Sequence, residues 1–197
     1  MHTIYARINN TSAFLSSCVT ALLVAIALSS LAFTADPKGQ LAVASIQVHP
    51  GNARRYANKK QEFAFVNFNV SAGTHLVMSA RAVSHVHACS KPDLSPLFNW
   101  NTKQLFLYLS AEYTDKKGVA NEVVIWDRIV RRKEDALIST TGRNKYVFRE
   151  LSASFRNIPP ANYSLKYNVM PYVGVLTYGE AARTPQPVAF PELQSLS

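Results

Sequence analysis

Residues 105–109 read Leu-Phe-Leu-Tyr-Leu, an unbroken apolar and aromatic run with polar chain on either side. The run is too short for a free-standing helix, and its residues suit a pleated, buried surface. It predicts a central β-strand. A strand apolar on both faces needs cover on both sides, so the rest of the chain must supply a second layer. With 197 residues there is room for one domain of ordinary size plus an appendage.

The remainder of the body reads as strands and turns. Residues 41–48 are rich in Val, Ile and Ala and are closed by His49-Pro50-Gly51. Arg54, Arg55, Lys59 and Lys60 mark a polar connection or sheet edge. Ala64, Val66, Phe68 and Val70 then alternate with Asn67, Asn69 and Ser71, the period of a half-buried strand, which sets Asn69 on the wetter face. Residues 73–92 show no period and read as an irregular insertion. Beyond the central strand, Asp115-Lys116-Lys117-Gly118 is a turn, and residues 119–130 complete a hairpin. A charged connection follows, then a turn over Thr140-Thr141-Gly142-Arg143-Asn144 and a segment at 145–149 in which Tyr146 and Phe148 share a face. After Pro159-Pro160, Tyr163, Leu165, Tyr167 and Val169 alternate with Asn162, Ser164, Lys166 and Asn168. Residues 187–191 form a short closing edge strand, where proline is tolerated. No strand–helix–strand alternation is present, so the class is all-β, an antiparallel β-sandwich.

Ahead of the body, residues 13–33 carry no Asp, Glu, Lys, Arg or His. At about 1.5 Å of rise per residue such a helix crosses the roughly 30 Å hydrocarbon core, and its hydroxyls can bond back to their own backbone. The stretch is longer than the apolar region of a cleaved signal peptide, which favours a retained transmembrane signal anchor; the alternative is a secreted β-sandwich binding module whose leader is removed. Arg7 on one flank leans toward a cytosolic tail at 1–12, a transmembrane segment at 13–33 and a lumenal domain at 34–197. Asn162-Tyr163-Ser164 and Asn69-Val70-Ser71 are then sequons on the glycosylated side, with Asn162 the principal acceptor and Asn69 the second candidate. Asn9 and Asn10 open sequons on the other side.

Catalytic signatures are not found: no Gly-x-Ser-x-Gly, phosphate-binding loop, His-Glu-x-x-His or Cys-x-x-Cys occurs. His49 sits at a strand end, and His75, His85, His87 and Cys89 fall in the insertion, where His85-x-His87-x-Cys89 lacks a fourth metal ligand at standard spacing. Cys18, inside the apolar stretch, has no partner within reach. Glu112, Glu122 and Asp127 can approach across the hairpin, but nothing singles out a pair for acid–base work. Catalytic, cofactor and metal sites are all expected to be absent. The net charge of +9 comes without a nucleic-acid-binding motif, so the basic runs at 54–60 and 128–133 read as solvated edges or as attraction to anionic lipid headgroups.

The block Asn99-Trp100-Asn101-Thr102-Lys103-Gln104-Leu105-Phe106-Leu107-Tyr108-Leu109-Ser110-Ala111-Glu112-Tyr113 resembles the most distinctive part of the signal peptidase complex subunit 3 family. Asn121-Glu122-Val123-Val124-Ile125-Trp126-Asp127, Asn144-Lys145-Tyr146, and Asn162-Tyr163-Ser164 followed by Tyr167-Asn168-Val169-Met170-Pro171 agree in the same order. The resemblance implies a non-catalytic, glycosylated subunit of the endoplasmic reticulum signal peptidase: a single-pass type II protein whose lumenal sandwich is glycosylated at the position matching Asn162. It also implies partnership with the catalytic serine-protease subunit and the small membrane subunits of the complex, in the removal of signal peptides from nascent chains. The departure is residues 73–92, which intervene where the family runs almost directly from Val70-Ser71-Ala72 to Asp93-Leu94.

Overall fold

The computed structural model describes residues 3–33, 35, 37, 39–53, 59–71 and 94–193. Its one long helix, α1 (Ile4–Leu31), contains most of the uncharged stretch, is exposed along most of its length, and is long and apolar enough to cross a membrane. Several of its hydroxyls bond back to the helix in that apolar setting: Ser17 donates to the Ala13 carbonyl at 2.9 Å, Thr20 to that of Ser16 at 2.7 Å and Ser29 to that of Ile26 at 2.8 Å.

The body is two antiparallel sheets, as expected. One is three-stranded, in the order β1 (Gln40–Ala53), β2 (Lys59–Ser71), β5 (Thr140–Arg143); the other is four-stranded, in the order β4 (Ala120–Val130), β3 (Thr102–Thr114), β6 (Asn162–Pro171), β7 (Thr177–Arg183). Between them lies one apolar core. Leu41, Val48, Val66, Phe68 and Val70 enter from the first sheet, and Leu105, Leu107, Leu109, Tyr163 and Leu165 from the second. Phe148, Phe155 and Phe190 close one end with Tyr113, their rings tilted or edge-on at centroid separations of 4.9–6.2 Å.

Several readings change. Residues 105–109 are central but buried on one face only: Leu105, Leu107 and Leu109 are covered, whereas Phe106 and Tyr108 stack on each other on the half-covered outer face. Strict alternation thus overrides continuous apolarity, because among the described residues the outer face meets no second layer. His49-Pro50-Gly51 does not end β1, whose pairing with β2 continues through Ala53; proline is tolerated there because β1 is an edge strand. The segment at 140–143, read as turn, is β5 and pairs with β2 from Asn67 to Val70. Tyr146 and Phe148 do not share a face: Phe148 is buried and bridges Ala64, while Tyr146 is exposed and donates to Asp127. The closing segment contributes a bridge between Val188 and Ala161 rather than a full strand. The insertion at 73–92, with His75, His85, His87 and Cys89, lies outside the described residues, as does most of the basic run at 54–60.

Candidate functional site: the outer sheet face and the helix junction

Strand direction gives the four-stranded sheet two distinct ends. β3 starts at Thr102, opposite Pro171 of β6, and reaches Glu112, opposite Asn162. The pairing spans about 30 Å at the usual strand rise. The helix meets the Thr102–Pro171 end. There Gly174, at φ +120°, approaches α1 so closely that a β-carbon would stand 3.4 Å from the Cα of Ala27. Ile26, Ala27, Ser29 and Ser30 are correspondingly half-covered, while most of the helix before them is exposed. A cleft of about 240 Å³ opens at this junction, lined by Leu31 and Phe33 against Leu97, Val169, Val175 and Tyr178.

The helix-proximal end is clamped by side chains whose role was not legible in the sequence. Asn101, almost fully buried, donates through Nδ2 to the Val173 carbonyl at 2.6 Å and accepts from the Val173 N–H at 3.1 Å. Its own carbonyl accepts from Tyr172 N–H at 2.8 Å. Asn99 in turn accepts from the Asn101 N–H and from Thr102 Oγ1, each at 2.9 Å. The polar residues ahead of β3 thus tie down the β6–β7 turn.

At the opposite end the acids that could have formed a catalytic pair are bound into ion pairs. Glu112 and Glu122 do come directly opposite each other across β3 and β4. Lys166 lies between them at 2.7 Å from each, and Arg183 also reaches Glu112. Hydrogen bonding to Lys166, against an opposing effect of burial, holds the Glu112 carboxyl below its ordinary value. Asp127 is likewise held low by Lys145 and Tyr146. Ser164, expected on the wet face, is instead buried, its hydroxyl 3.0 Å from that of Ser110 and donating to Glu112 at 3.1 Å. The sequence offers no signal for this, since cross-strand register decides it.

Asn162 is half-exposed at the far end of the sheet from the helix. Asn69 is half-exposed on β2, opposite Ala42, which lines a cleft with Arg183 and Thr184 near that same end. His49 lies beside Phe65, ring centroids 5.6 Å apart, and Cys18 is exposed on the helix. Among the described residues no three His, Cys, Asp or Glu side chains gather as metal ligands would.

A family model described as "Signal peptidase subunit" matches residues 1–80 and 83–193, breaking inside the segment at 73–92. The chain belongs to this family. Individual relatives agree. A protein named signal peptidase complex subunit 3 from Caenorhabditis briggsae is 34% identical over 179 residues, 89% of this chain and 87% of the relative. Its namesake from Saccharomyces cerevisiae is 45% identical over 89 residues, 45% of this chain and 48% of the relative, and that from Gallus gallus is 28% identical over 89% of this chain. Against yeast relatives such as those from Saccharomyces cerevisiae and Yarrowia lipolytica, the chain spans about half their length.

Proposed function

We propose that this chain is the non-catalytic, structural subunit of the endoplasmic reticulum signal peptidase complex. α1 anchors it as a single-pass type II protein; the sandwich is lumenal, glycosylated at Asn162 with Asn69 as a second acceptor, and steadies the serine-protease subunit and the small membrane subunits as signal peptides are removed. The observation that carries the reading is the family match over residues 1–80 and 83–193. The ion-paired state of Glu112, Glu122 and Asp127 supports it, because acids held in this way make poor proton shuttles. The outer sheet face, where Phe106, Tyr108 and the exposed Ile129 stand together, is the surface assigned to a partner subunit, aromatic side chains being enriched at interfaces. The test is affinity purification of tagged full-length chain from gently solubilised membranes, with mass spectrometric identification of what accompanies it. A serine-protease subunit in near-stoichiometric amount is expected. Recovery from the medium, lacking residues 1–35 and without a protease, would instead fit a secreted module.

A further inference from the structure

The β6–β7 turn and its surroundings carry an apolar surface that the sandwich does not use. Tyr172 is 68% exposed, Val175 70%, Tyr178 82%, and Trp100, held beside the turn through Asn101, 59%. These side chains sit at one end of the sheet, next to the helix, rather than scattered over the domain.

Depth decides what they meet. Gly174 touches α1 at Ala27, and the uncharged stretch continues to Phe33 beyond it. A hydrocarbon core that begins near Ala13 and takes about 20 residues of helix ends near Ala32, so Ala27 lies roughly 7 Å inside it. Because turn and helix are in contact at that point, tilt of the whole molecule does not separate their depths. The turn is thus carried to the boundary between acyl chains and headgroups, where amphipathic Tyr and Trp rings reside most favourably.

Charge follows the same geometry. Val130 pairs with Leu105, so Arg131 and Arg132 leave β4 at the level of Gln104 and Lys103, the end of the sheet that bears the turn. Arg131, Arg132, Lys133 and Lys103 are all exposed, followed by exposed Glu134 and Asp135. Four cations against two acids, set level with Pro171, suit headgroup phosphates just above an immersed turn.

We infer that the β6–β7 turn, with Trp100, is a second membrane contact of this protein: Tyr172, Val175, Leu176 and Tyr178 enter the interfacial layer of the leaflet that receives the C-terminal end of α1. The inference rests on α1 spanning the bilayer, as proposed above. Its occupant is lipid, because the surface is continuous with the lipid-facing helix and lies at a depth set by it. Two attachment points, helix and turn, hold the sandwich at a defined angle over the bilayer, which a single flexible tether does not.

The full-length chain is reconstituted in phosphatidylcholine vesicles, first as wild type under alkaline extraction to establish that α1 holds it in the membrane. Trp126→Phe then leaves Trp100 as sole tryptophan. Blue-shifted emission, quenched by phospholipid brominated near the headgroup and little affected by aqueous iodide, is expected. Trp100→Phe, which retains Trp126 halfway along the edge strand β4 and against Phe68, should show no lipid quenching. Replacing Tyr172, Val175 and Leu176 together by serine should return Trp100 to iodide without releasing the chain from the vesicles. Iodide quenching of Trp100 in the Trp126→Phe chain, with alkali-resistant attachment intact, overturns the turn's insertion and leaves the anchor standing. Shielding from both quenchers assigns the turn to a protein neighbour and equally overturns it. Release of wild-type chain by alkali removes both readings together.

Discussion

Asn101 shows how one buried amide can fix a loop far from it in sequence. Its side chain supplies both partners that the Val173 peptide group needs, and no apolar replacement can do so. Asn101→Ala removes both bonds from a part-buried site, and a loss of about 1–3 kcal/mol is expected. Thermal unfolding of full-length chain in detergent, followed by near-ultraviolet circular dichroism, checks it; an unchanged midpoint in Asn101→Ala would mean that the Val173 groups are satisfied by water instead. Gly179 is constrained in another way: a β-carbon there would stand 2.5 Å from Tyr167 Oη and 2.8 Å from its Cζ, overlapping the outer end of that side chain. Gly179→Ala must displace the ring, and about 1–3 kcal/mol of destabilisation is expected in the same assay. Neither role could be read from the residue alone, because each depends on a group some 12 or more positions away in the chain.

At the scale of the strand, alternation was the legible quantity and register the illegible one. Val66, Phe68 and Val70 of β2 and Tyr163, Leu165 and Tyr167 of β6 point inward as their period of two demands. β5 escaped notice because Thr140-Thr141-Gly142-Arg143 has turn composition, and its strand character comes from the β2 edge it pairs with. Ser164 escaped because its burial is imposed by Ser110 and Glu112 on the neighbouring strand. The ion-pair cluster built by that register has a pH signature. Glu112 is depressed below 4.5, so its contribution is complete above that value and is lost as pH falls through the lower folded-state pKa. Lys166→Met leaves Glu112 and Glu122 facing each other, and near neutral pH the unfolding midpoint should fall by the equivalent of about 1–2 kcal/mol. Below its lowered folded-state pKa the Glu112 carboxylate is protonated in mutant and wild type alike, and the difference should shrink. A difference that stays constant across that range would mean that Lys166 acts through packing of its methylene stem instead.

For the whole molecule the two ends of the sheet divide the labour, and the sequons report which side of the membrane receives them. Pro171 and the helix junction mark one end; Asn162 lies about 30 Å away at the other, by strand rise. Asn69, by way of Ala42 and the cleft it shares with Arg183, lies near the distal end too. Asn9 and Asn10 fall on α1 beyond the opposite end of the uncharged stretch. One orientation therefore offers the body's sequons to the glycosylating compartment, and the reverse offers Asn9 and Asn10; no arrangement with a single crossing offers both sets. Expressed with microsomes, the full chain should shift in mobility and return on endoglycosidase treatment. Asn162→Gln should abolish the principal shift and Asn69→Gln any second step, while Asn9→Gln with Asn10→Gln should change nothing. Asn162→Gln leaves Ser164 and its bonds to Ser110 and Glu112 untouched, so loss of the shift reports the glycan rather than a broken sheet. A shift that survives Asn162→Gln and Asn69→Gln but vanishes with Asn9 and Asn10 would invert the topology, placing the sandwich and its helix-proximal turn on the cytosolic leaflet.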